Sequence, residues 1–132
     1  MISGEILFYK NFPYEDGGDP TNKLLIVLNS PDNDAPFLVL RTTSQRKFRL
    51  DKQGCHSDKG YYVFKKKDDF FNADNTWVLF NTITELNTVQ FINWSLKMGV
   101  ETKGNLKENN LIALKNCLKR WPDLSKFHKS LL

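Results

Sequence analysis

The sequence predicts a mainly β domain of the α+β class, a small antiparallel barrel of five to seven strands closed by a C-terminal helix. Short runs rich in aromatic and β-branched residues recur between turn signals, at residues 5–10, 61–64 and 77–80. Residues 24–28 and 37–40 are apolar at nearly every position instead of alternating, so both faces of these strands need cover. Leu111, Leu114, Leu118 and Trp121 fall at helical spacing, an apolar stripe on a helix from about residue 108 to 120.

The first strand is the Glu-Ile-Leu-Phe-Tyr-Lys run, after which Pro13 and the Gly17-Gly18 pair force a long loop. Two apolar strands, 24–28 and 37–40, follow as a hairpin around the turn Pro31 to Pro36. Residues 47–50 suit a short strand, and 51–59 read as a polar loop. The aromatic strands 61–64 and 77–80 are separated by the charged connector 65–75. Residues 83–94 carry two patterns: Val89, Ile92 and Leu96 at helical spacing, and a Thr-rich mixture that suits a last strand. Pro122 ends the C-terminal helix, and Asp123 is placed to cap a short final one carrying Leu124, Phe127 and Leu131.

At 132 residues the chain reads as a single domain, 1–132, large enough to fold without metal or disulfide staples. Neither a membrane span nor a secretory signal is expected, which points to the cytoplasm. Cys55 and Cys117 lie far apart without CxxC company and read as two reduced thiols rather than a metal site or a disulfide framework. The charge of +4 is unevenly placed: residues 105–132 hold six Lys/Arg against two Asp/Glu, while the rest of the chain is balanced. Residues 41–52 hold five basic side chains against Asp51, and residues 10–22 hold Glu15, Asp16 and Asp19 against Lys10.

The candidate site is one end of the central hairpin. Lys23 enters its first strand and Thr42 leaves its second, so an antiparallel pairing puts both at the same end. There the segment Arg41-Thr42-Thr43-Ser44-Gln45-Arg46, with Lys47 and Arg49 beyond it, offers hydroxyls beside cations and suits a phosphate backbone. Cys55-His56 is a weak nucleophile-and-base pair, because neighbours on an extended chain point apart and no third orienting residue is evident. Two His and two Cys give no zinc spacing, and no cofactor motif occurs. Tyr61, Tyr62, Trp77 and Phe80 read as core aromatics rather than base-stacking platforms.

Several motifs in this order resemble the PemK/MazF family of toxin-antitoxin endoribonucleases: Gly4-Glu5-Ile6, then Asn11-Phe12-Pro13-Tyr14-Glu15-Asp16-Gly17, then Lys23 before an aliphatic strand, Thr42-Thr43-Ser44 after the next, and Gly104-Asn105-Leu106 before the amphipathic helix. The resemblance implies an SH3-like barrel, usually dimeric, that cleaves single-stranded RNA without a metal and is held in check by an antitoxin. It implies catalytic roles for Thr42 and for the strand-entry cation, an arginine in the family and Lys23 here. Lysine keeps the charge and loses the two-pronged donor that grips a phosphate.

Such cleavage needs the 2′-hydroxyl activated, the added negative charge held and the 5′-oxygen protonated as it leaves. Lys23, Arg46 and Arg41 suit the charge, and Thr42 a non-bridging oxygen. Lys23 serves as charge stabiliser or acid, and Asp16 or Asp19 stand as candidate bases. A homodimer is expected because one substantial helix covers little of the strands' outer faces. The cognate antitoxin is expected to offer an acidic flexible segment to the basic loop. A barrel that only binds nucleic acid or a protein is the alternative from another class.

Overall fold

In a computed structural model that describes residues 3–12, 21–32, 34–44, 52–66, 69, 71 and 74–132, the chain is mainly antiparallel β with three helices. The strands are β1 (Glu5–Phe12), β2 (Thr21–Val27), β3 (Phe37–Thr43), β4 (Gly54–His56), β5 (Tyr61–Lys65), β6 (Asn75–Leu86) and β7 (Glu101–Asn105). They form one sheet in the order β4-β5-β6-β3-β2-β1-β7. The helices are α1 (Thr88–Lys97), between β6 and β7, then α2 (Glu108–Lys119) and α3 (Lys126–Ser130).

The unbroken apolar runs are explained by helices on both faces of the sheet. Alternate residues Ile26, Leu38, Leu40 and Phe80 join one core with Leu114 and Leu118 of α2. Their neighbours Leu25, Val27 and Val39 face the other way and pack with Phe91 of α1 and with Val100. Each such burial is worth about 1.5–3 kcal/mol, so a strand with two buried faces contributes at nearly every residue. A smaller cluster of Tyr61, Val63 and Trp77, with Leu79 against it, lies on β5 and β6. All four aromatics read as core, Tyr61, Tyr62, Trp77 and Phe80, are buried.

The β2–β3 connection is fixed by Asn29, a buried side chain that donates to Pro36 O at 3.1 Å and accepts from Leu38 N at 2.7 Å. The start of α2 is capped from a distance. Lys107 has no acceptor to offer, and Asp69 Oδ2 accepts from Lys107 N and from Asn110 Nδ2, both at 2.8 Å.

Several expectations need correction. Residues 83–94 hold both patterns in succession, strand to Leu86 and helix from Thr88, with Asn87 and Gln90 forming a capping box between them. The segment 51–59 contains β4, and the strand expected at 47–50 lies outside the described residues. Ser125, not Asp123, caps α3, its hydroxyl accepting from His128 N at 3.1 Å. Cys55 and Cys117 are not free thiols: they form a disulfide with Cα atoms 5.5 Å apart, joining β4 to α2. Strand and helix meet there because α2 lies on the sheet face that its apolar stripe covers, a proximity no sequence spacing encodes.

No described helix is long and apolar enough to cross a membrane. On α1, Phe91 is buried and Trp94 partly so, while Val89, Ile92 and Leu96 face solvent with Met98 beyond them.

Candidate functional site

Register decides which of the expected residues share a face. Lys23 lies opposite Tyr9 on β1, and Arg41 lies between Leu25 of β2 and Leu79 of β6. Thr43 is opposite Trp77. Because side chains alternate along a strand, Lys23, Arg41 and Thr43 belong to one face of the sheet, and Thr42, opposite Val78 of the α2-covered core, belongs to the other. Thr42 is 5% exposed, and its hydroxyl donates to Leu24 O at 2.7 Å.

The end of β3 is shaped by an irregularity in its partner. Val39 pairs with Thr84 and Arg41 with Leu79, so the stretch from Phe80 to Ile83 stands against Leu40 alone. Thr82 repairs the ladder: its hydroxyl accepts from Arg41 N at 2.9 Å and donates to Leu79 O at 2.6 Å. Asn81 and Thr82 are thereby brought to the wall of a cleft of about 650 Å³.

Lys23, Arg41, Thr42 and Thr43 all line this cleft, so the structure brings together the residues that the hairpin argument placed at one end. Ser44 follows β3, exposed, and is not among the lining residues. Gln45, Arg46, Lys47 and Arg49 lie outside the described residues, as do Asp16 and Asp19. Lys59, Gly60, Trp121 and Asp123 line the cleft and were missed by sequence reasoning, since they come from the β4–β5 turn and from the end of α2. The signal present was an indole directly followed by Pro-Asp at the end of an amphipathic helix, too common to single out.

Three cations and one carboxylate among the described lining residues make the cleft electropositive. Across from Lys23, burial pushes the Tyr9 phenol above its ordinary pKa and keeps it a neutral hydroxyl. Cys55 is bonded to Cys117, which removes the Cys55-His56 nucleophile reading, and His56 Nε2 lies 2.7 Å from Lys52 O. Among the described residues no group of three His, Cys, Asp or Glu side chains could hold a metal ion.

Gly60 forms a close-packed joint of the cleft wall. Its φ of +83° favours glycine, and a Cβ there would meet Trp121 Nε1 at 3.1 Å. Its carbonyl accepts from Phe80 N at 3.0 Å, and the Trp121 ring packs against Phe80 with centroids 6.0 Å apart. Gly60→Ala should therefore cost about 1–3 kcal/mol and displace the indole. Thermal unfolding and tryptophan emission check this; an unchanged midpoint with an unshifted spectrum would refute the close-approach account.

No family model, curated protein or solved structure matches the chain.

Proposed function

We propose that this chain binds single-stranded RNA in the cleft and cleaves it without a metal, as the toxin of a toxin-antitoxin pair resembling the PemK/MazF family. The observation that carries the reading is the placement of Lys23, Arg41 and Thr43 on one sheet face, in one cleft with Lys59. Two strand-end cations beside a hydroxyl suit a phosphodiester and the charge it gains as the 2′-oxygen attacks. Solvent water takes the 2′-hydroxyl proton as that oxygen bonds to phosphorus, the P–O5′ bond breaks, an ammonium of the cleft protonates the departing 5′-oxygen, and a 2′,3′-cyclic phosphate and a 5′-hydroxyl remain.

The test is incubation of purified protein with mixed RNA in EDTA, followed by mapping of the ends. Cleavage with cyclic-phosphate ends is expected, and Lys23→Ala and Thr42→Ala should each lower turnover more than binding. Cleavage abolished by chelation would sink the mechanism. The commitment of the Thr42 hydroxyl to Leu24 O favours a second reading, a module that binds RNA or a protein without cutting. Binding with intact RNA is the result that would establish it.

The SH3-like closure of the sheet, action in the cytoplasm, a homodimer and an acidic antitoxin segment belong to the same proposal. A cytoplasmic site would expose the disulfide to reducing thiols; Cys117 is fully buried, which leaves Cys55 as the sulfur open to attack. The antitoxin segment should compete with RNA and associate more slowly as salt rises.

A further inference from the structure

We infer that Trp121 and Asp123 form a base-reading end of the cleft, and that the ligand it selects is an RNA segment carrying a guanine. This rests on the RNA reading of the cleft and adds the base that the site prefers.

The lining divides by chemistry. Lys23, Arg41 and Lys59 suit phosphate, whereas the exposed Asp123 carboxylate repels it and accepts hydrogen bonds only from donors on a ligand. Beside it stands Trp121, half-buried and held through Gly60 and Phe80. The chain's other two indoles are committed elsewhere: Trp77 is 2% exposed, and Trp94 packs edge-on against Tyr9 at 5.2 Å. Single-stranded RNA is read by stacking its bases on aromatic rings and bonding their Watson–Crick edges, and an indole with a neighbouring carboxylate provides both. An ionised carboxylate only accepts. Guanine presents two adjacent donors, N1–H and the N2 amino group, to its two oxygens; adenine and cytosine offer an amino group beside an acceptor, and uracil a single N–H between two carbonyls. At about 650 Å³ the cleft falls in the size range of pockets that enclose small ligands, and a nucleotide is of that size.

The experiment uses the full chain and two uncleavable probes, a 2′-O-methyl uridine hexamer and the same hexamer with one guanosine. The guanosine probe should bind about tenfold more tightly and quench tryptophan emission. Asp123→Asn should shrink the preference below about threefold, Lys23→Gln should weaken both probes alike, and Trp121→Phe should abolish the quench. Equal affinity for the two probes, a preference that survives Asp123→Asn, or a full quench in Trp121→Phe would each overturn the base-reading end while leaving RNA binding in place. Failure of both hexamers to bind would remove the RNA reading and this inference with it.

Discussion

Breaking the Cys55–Cys117 bond should lower the melting temperature by roughly 10 °C, the counterpart of about 2–4 kcal/mol for a disulfide closing a long loop in a domain of this size. The bond spans 62 positions, so the reduced unfolded chain regains much freedom. Replacing both cysteines with alanine is the cleaner variant, since it buries neither a lone thiol nor a hydroxyl where Cys117 packs against the core. The effect should reach the cleft. Cys55 lies four residues before Lys59 and Cys117 four before Trp121, so one bond staples the two chain segments that complete the wall. Denaturation with and without a dithiol, alongside RNA affinity at a temperature where both forms are folded, measures the two consequences. Coincident unfolding curves would show that α2 holds β4 without the bond.

The second large effect is electrostatic. Lys23→Gln combined with Arg41→Gln should weaken RNA binding about a hundredfold near physiological salt, roughly tenfold for each lost phosphate partner. Glutamine removes each charge while keeping two methylenes of the stem, which limits the packing lost beside Leu79, the register partner of Arg41 on β6. Plotted as log affinity against log salt, the slope should become shallower by about 1.4, because each cation on a single strand accounts for about 0.7. Lys103→Gln on β7, where that lysine pairs with Glu101 at 3.2 Å, should leave the slope unchanged. Equal slopes for the double variant and the parent chain would place the RNA elsewhere.

The elements legible in the sequence were those whose pattern is their cause. Strands β1, β2, β3 and β5 and helix α2 owe their places to apolar residues that the core requires, and they appear where those residues are. Strand β7, Glu-Thr-Lys-Gly-Asn, has no apolar signal and exists because β1 offers it a ladder. The later half of β6 was legible only in part: the strand reading of 83–94 covers Ile83 to Leu86, whereas Asn81 and Thr82 lie at a bulge that only the pairing with β3 defines. At the site, the hairpin argument placed Lys23 and Thr42 at one end correctly and said nothing of faces. The odd-numbered Lys23, Arg41 and Thr43 share one face and Thr42 takes the other, which follows from a register that sequence alone leaves open. Lys59, Trp121 and Asp123 join them through tertiary packing, and so does the pairing of the two cysteines.

The two outermost strands bear on how the molecule behaves when concentrated. A sheet whose last strand is long, flat and apolar invites another chain to extend it, the first step toward fibres. Among the described residues the outermost strands are β4, three residues long and tied to α2 by the disulfide, and β7, which sets Glu101 and Lys103 into solvent. Both are poor templates for recruiting a further strand. The described edges therefore resist the edge-to-edge addition that the same sheet, ending on the apolar β2 or β3, would invite.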